Sequence, residues 1–181
     1  MRQTICCAST VTEYGPSTYG DRVADVYDRM PQVLGRDTER VVAALAGLAG
    51  RGPVLELGTG RLALPLAAGE LAVHGIDASE EMIKKLRAKP GGDRIPVAIG
   101  DLADVAIDGR FSLIFVAFNT LFGLLSHEDQ VRCFARVAEH LTADGVFVLE
   151  AFVPDVTRFD RGQRVGVTHV GVGPGALRLA V

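Results

Sequence analysis

The chain lacks each feature that would direct it to a membrane, a secretory route or a polyanion. None of its apolar runs reaches the ~18 residues that a membrane-spanning helix needs, and the opening "MRQTICCAS" has no apolar core long enough for a signal peptide. Cysteine is scarce: Cys6 and Cys7 are adjacent and Cys133 is remote, which gives neither a disulfide framework nor zinc-ligand spacing. Reduced thiols and no metal are expected. Positive charge is not in excess either, since 19 Lys and Arg face 22 Asp and Glu for a net charge of -3. Such a chain has no electrostatic footprint for nucleic acid. These absences predict a cytoplasmic protein with neither a nucleic-acid nor a membrane partner.

What is present suits one domain over residues 1–181. With 48% apolar residues in 181, the chain can fill a sizeable core. No repeat, low-complexity tract or linker interrupts it. Apolar runs at 53–57, 71–76, 95–99, 111–118 and 145–152, bounded by Gly, Pro or Asp, read as short strands. Helical segments separate most of them, which is the pattern of a parallel α/β sheet. Two helices precede the first strand: one over 20–34, carrying Val23, Val26, Tyr27 and Met30 until Pro31 interrupts it, and an alanine-rich one over 37–49. Ser79 reads as an N-cap, with Glu80 and Glu81 in the first turn and Lys84, Lys85 and Arg87 further on. Ser126 reads as another, with Asp129 at the capping-box position and Val131, Phe134, Ala138 and Leu141 as one apolar stripe.

The chemistry centres on "VLELGTGRLALPLA", where a buried strand delivers Glu56 to a turn built on Gly58, Thr59 and Gly60. In a parallel sheet of this kind ligands bind beyond the carboxyl ends of the strands. Glycines there permit positive φ and expose main-chain atoms to a ligand. Asp77 follows 19 residues after Gly58 at the end of the second strand, where a carboxylate can accept hydrogen bonds from both hydroxyls of a ribose. Asp101 repeats the placement after the third strand. Three acids on one rim suit a nucleoside that carries positive charge better than a pyrophosphate. A dinucleotide loop reads G-x-G-x-x-G and would be repelled by an acid within it; "ELGTGRLALP" has no third glycine at that spacing. Taken singly, Glu56 also fits a cap on the neighbouring helix, Asp77 and Asp101 fit ordinary strand-end turns, Asn119 with Thr120 fits a cap after the fourth strand, and Phe115, Phe118 and Phe122 fit core positions.

Together "VLELG", "GIDAS", "GDLAD" and "FVAFNTLFGLLSHEDQVRCFARVAEHLTADGVFVLEAF" make the chain resemble the class I S-adenosylmethionine-dependent methyltransferases, in particular their small-molecule branch, over roughly residues 19 to 160. The resemblance implies a Rossmann-like sheet of strand order 3-2-1-4-5 with helices on both faces. It implies S-adenosylmethionine as cofactor and a small-molecule acceptor with an oxygen, nitrogen or carbon nucleophile. By the same resemblance Glu56 and the backbone of Gly58, Thr59 and Gly60 face the methionine part, and Asp77 holds the ribose. Asp101 contacts the adenine amino group, Ala78 and Leu102 flank the ring, and Met82 lies near it. Phe118 and Asn119 lie under the reacting methyl, while Tyr19 belongs to an N-terminal cover over residues 1–50 that also carries Tyr27. The core then spans 51–152.

Two departures from the family pattern stand out. The loop reads "ELGTGR" where that branch usually has E-L-G-x-G-T-G-R, and the antiparallel strands that normally follow the fifth are expected to be missing. Residues 153–181 read instead as a substrate-covering hairpin turning at "GPG". A truncated chain with an open fifth-strand edge, and pairing of two copies into a homodimer, are the resulting expectations. No catalytic residue is singled out; Glu150, Asp155 and His127 are the available general bases. Two other classes stay open: a non-catalytic cofactor-binding or interaction module, and a nicotinamide-dependent oxidoreductase or epimerase.

Overall fold

Val54–Leu57 form strand β1 with every residue buried, as a strand covered on both faces requires. The computed structural model describes residues 14–30, 37–153, 169–173 and 176–180. Strands β2 (Val73–Asp77), β3 (Val97–Ile99), β4 (Phe111–Val116) and β5 (Leu141–Leu149) join β1 in a five-stranded sheet of order β3-β2-β1-β4-β5. Every pairing in it is parallel, so the expected strand order is the one found. The strand limits shift in ways that local chemistry explains. β3 starts at Val97 because Pro96 has no N–H to give to a ladder. β4 stops at Val116, two residues before Phe118 takes a positive φ of 57°. β5 runs from Leu141, earlier than the expected 145–152, and its register against β4 shifts between Phe111 and Leu113.

Five α-helices surround the sheet: α1 (Thr18–Val23), α2 (Thr38–Ala49), α3 (Ala63–Ala68), α4 (Glu80–Arg87) and α5 (His127–His140). The single helix expected over 20–34 is instead α1 followed by a 3-10 turn at Tyr27–Arg29; Pro31 and the rest of that stretch lie outside the described residues, as do Cys6 and Cys7. Both expected N-caps form. The Ser79 hydroxyl accepts from the Met82 N–H at 3.2 Å, and that of Ser126 from the Asp129 N–H at 3.0 Å.

Alternate residues of the strands feed two apolar layers. Leu55, Leu57, Ile114 and Val116 pack on one face with Cys133 and Val137 of α5. Val54, Leu113 and Phe115 pack on the other with Leu45 and Ala49 of α2, Leu66 of α3 and Leu86 of α4. Each such buried Leu or Phe contributes roughly 1.5–3 kcal/mol. The stripe expected on α5 is a correction: Val131, Phe134 and Ala138 are exposed, and Cys133 and Val137 are the residues turned inward. The helix carries apolar residues on two adjacent stripes, and the one containing the small thiol fits the sheet. Burial pushes the Cys133 thiol up to about 11.

Contacts divide the chain into two compact units, Met1–Ala151 and Phe152–Val181. The second contains an antiparallel pair, β6 (His169–Gly173) and β7 (Ala176–Ala180). This is the hairpin read from the sequence, although most of its "GPG" turn lies outside the described residues. Among the described residues no helix is long and apolar enough to cross a membrane, and no group of His, Cys, Asp and Glu could hold a metal ion.

Candidate active site

The carboxyl ends of β1, β2 and β3 lie side by side at one edge of the parallel sheet, with a glycine turn directly after β1. Glu56 of β1 pairs in register with Gly75 of β2 and Phe115 of β4 and is only 1% exposed. Directly after β1, Gly58 takes φ 78° and donates its N–H to the Ile76 carbonyl at 2.8 Å. A Cβ there would run into the Thr120 methyl, so the turn closes only on glycine. A Cβ on Gly60 would stand 2.8 Å from the Tyr27 hydroxyl. At the end of β2, Asp77 accepts from the Ser79 N–H at 2.8 Å; at the end of β3, Asp101 accepts from the Ala103 N–H at 2.9 Å. Both bonds fix a carboxylate with the chain's own amides and leave acceptor capacity over.

Electrostatically the rim is poised to receive positive charge. Burial pushes the Glu56 carboxyl up to about 8; the amides of Gly60 and Ala63 pull against this, and the Asp77 charge adds to it. The Oε2 atom of Glu56 is buried without a hydrogen-bond partner, and a buried carboxylate oxygen in that state is costly unless a donor or cation meets it. Burial likewise raises Asp77 to about 6, against the amides of Ser79, Thr59 and Ala78 and with help from the Asp21 charge.

The N-terminal segment covers this rim through polar ties to α4. The Ser79 hydroxyl donates to Asp21 Oδ1 at 2.6 Å, Lys85 pairs with Asp25 at 2.8 Å, and Lys89 pairs with Asp28 at 2.6 Å. The hydrogen bond from Ser79 is the largest of the effects that hold the Asp21 carboxyl below its ordinary value. Tyr19 and Tyr27 are thereby brought to the site, and burial, followed by the Glu56 charge, raises the Tyr27 phenol to about 12.

The residues expected around the cofactor line one cleft of about 390 Å³: Tyr19, Glu56, Gly58, Thr59, Gly60, Asp77, Ala78, Met82, Asp101, Leu102, Phe118 and Asn119. That volume lies within the range of small-molecule sites. Sequence reasoning missed Tyr14, Arg61, Thr120 and Phe122, which also line it. Arg61 donates to the Thr38 hydroxyl at 2.8 Å; its place directly after the glycine turn was the available signal. Phe122 was read as core but is 48% exposed, whereas Phe115 is buried as expected. Asn119 precedes a 3-10 turn at Thr120–Gly123 without capping it through its side chain. Of the candidate bases, Glu150 accepts from the Phe118 N–H at 2.9 Å, His127 is an exposed residue at the start of α5, and Asp155 lies outside the described residues.

A parallel sheet of this order, with its cleft beyond the carboxyl ends of β1, β2 and β3, defines a Rossmann-like ligand-binding domain. Residues 54–145 match the family described as "Methyltransferase domain", and the chain belongs to that family. It is similar to the solved CcbJ methyltransferase of Streptomyces caelestis, with TM-score 0.69 and 41% identity over 75% of this chain and 58% of that one. The glycopeptide N-methyltransferase MtfA, solved with (S)-adenosyl-L-methionine, aligns at TM-score 0.57 and 28% identity over 70% of this chain and 55% of that one. Among curated proteins, the dTDP-3-amino-3,6-dideoxy-alpha-D-glucopyranose N,N-dimethyltransferase of Streptomyces fradiae is 30% identical over 152 residues, 78% of this chain and 58% of its own length. The chain thus spans less than two thirds of the length of these relatives.

Proposed function

We propose that the chain binds S-adenosylmethionine in this cleft and transfers its methyl group to a nucleophile of a small-molecule acceptor. The observation that carries this reading is the trio of carboxylates, Glu56, Asp77 and Asp101, brought to one rim around a glycine turn, with Glu56 Oε2 buried and unpartnered. That set suits a cationic nucleoside and opposes a pyrophosphate. In this reading Glu56 and the turn of Gly58, Thr59 and Gly60 hold the methionine part. Asp77 takes the ribose, and Asp101 with Ala78, Leu102 and Met82 takes the adenine. Phe118 and Asn119 lie beneath the methyl, and Tyr19 covers it.

When bound, the cofactor would supply an electrophilic methyl carbon: the acceptor's nucleophile would bond to it as the carbon–sulfur bond breaks, the neutral thioether S-adenosylhomocysteine leaves, and the nucleophile's proton passes to solvent. The chain's own share is positioning: holding both partners in attack geometry can lower the barrier by several kcal/mol without a covalent intermediate or a metal. An amine is the favoured nucleophile, because the Streptomyces fradiae relative is named for dimethylating an amino sugar and MtfA is an N-methyltransferase. A cytoplasmic location accompanies this reading. A homodimer formed along the β5 edge does too, and sedimentation at several concentrations that shows only monomer overturns the dimer.

Calorimetric titration with S-adenosylhomocysteine and, separately, with NAD tests the cofactor. Micromolar binding of the first alone, lost in Asp77→Ala, is the expected result. Binding of NAD instead, or of neither, overturns it.

A further inference from the structure

We infer that Glu150 is a positioning residue that clamps the acceptor-side wall of the cleft. Its two hydrogen bonds reach across to the end of β4. The Glu150 N–H donates to the Val116 carbonyl at 3.0 Å, which extends the β4–β5 ladder one residue past its last pair, Val116 with Leu149. Its side chain then turns back, and Oε2 accepts from the Phe118 N–H at 2.9 Å. Main chain and carboxylate of one residue therefore hold the carbonyl of Val116 and the amide of Phe118 on either side of Ala117.

The held segment needs such a clamp. Phe118 has φ 57°, a left-handed backbone that a bulky side chain adopts only when its surroundings impose it. From there the chain carries Asn119, Thr120 and Phe122 along the cleft, and the Thr120 methyl occupies the space that a Cβ on Gly58 would need. Releasing Phe118 lets the wall leave the glycine turn. Glu150 suits the task because its side-chain oxygen accepts from the Phe118 amide while its own N–H holds the Val116 carbonyl. Glu150 does not line the cleft, so it acts through Phe118 rather than on a ligand.

The effect on the wall is independent of what the cleft binds; the effect on affinity rests on the cofactor reading above. Amide hydrogen exchange of residues 117–124 in the ligand-free chain tests the first. Glu150→Ala is expected to raise exchange there about tenfold, and Glu150→Gln, whose amide oxygen still accepts, to stay within about twofold of the parent. In a Phe118→Gly background, where the backbone adopts φ 57° freely, the Glu150→Ala effect shrinks. Titration with S-adenosylhomocysteine tests the second: affinity falls roughly threefold to tenfold in Glu150→Ala and is kept in Glu150→Gln. Unchanged exchange in Glu150→Ala, equal effects of the two substitutions, or altered exchange with unaltered affinity each overturns the assignment. If the parent chain itself does not bind S-adenosylhomocysteine, the cofactor reading fails, and the exchange comparison decides Glu150 alone.

Discussion

Glu56 and Asp77 close neighbouring parallel strands, and the charge of Asp77 adds to the burial that keeps the Glu56 carboxyl protonated up to about pH 8. A ligand that brings a fixed positive charge to these groups favours their ionised forms and expels protons. S-adenosylmethionine brings a sulfonium that S-adenosylhomocysteine lacks, in addition to the α-ammonium that both carry. Affinity for the sulfonium is therefore expected to rise from about pH 6 to about 8, the values for Asp77 and Glu56, and to rise more steeply than for the neutral thioether. Calorimetry near neutral pH in buffers of different ionisation enthalpy should show proton release with the sulfonium; a flat pH profile would remove the electrostatic role given to the rim.

The same carboxyl makes folding sensitive to alkali. Glu56 ionises near 4.5 in an unfolded chain and near 8 in the fold, so between those values the folded state holds a proton that the unfolded state has released. Stability accordingly declines as pH rises from about 4.5 to about 8. Glu56→Gln carries no titrating group and escapes this decline. Its melting temperature should exceed the parent's by several degrees near pH 9 and differ little near pH 5, while its affinity for S-adenosylmethionine collapses. A parent that melts higher in alkali than in mild acid would contradict the assignment.

Gly58 is irreplaceable for two separable reasons, its φ of 78° and the Thr120 methyl facing it. Gly58→Ala is expected to cost about 1–3 kcal/mol in denaturant unfolding. Adding Thr120→Ser, which removes the methyl, should recover part of that cost. If the double substitution is as unstable as the single one, backbone strain is the whole cause.

The N-terminal cover is tied to α4 by one part-buried contact and two exposed ones. Ser79 caps α4 and also donates to Asp21, and it is 1% exposed. Ser79→Ala should destabilise the chain by roughly 1–2 kcal/mol. Lys85→Ala removes only a solvent-screened pair with Asp25 and should cost far less than Ser79→Ala. Equal losses in chemical denaturation would mean that the cover is held by charge alone.

The strand-end acids were legible because each strand is a short apolar run that stops at a polar residue, and the parallel pattern then sends Glu56, Asp77 and Asp101 to one edge. The inward face of α5 was not. Phe134 looks like the natural core residue, yet it is exposed and meets Phe147 edge-on at 5.9 Å, while Cys133 fills the layer beneath the helix. A rotation of one residue separates the two stripes, and only the depth of the groove above the sheet chooses between them. Phe118 posed a different difficulty: its turn depends on Glu150, 32 residues away, and no local pattern announces it.

The cleft is made of two kinds of material. Its acids sit on strand ends tied into the sheet, whereas the exposed Phe118, Asn119 and Phe122 ride on the segment between β4 and α5, which Leu121 and Leu124 anchor in the core. Changes in that segment alter one wall and leave the sheet ladder intact. Under the proposed methyl transfer, a lineage or a laboratory library could reach new acceptors by editing a handful of positions there while inheriting the strand-end acids unchanged.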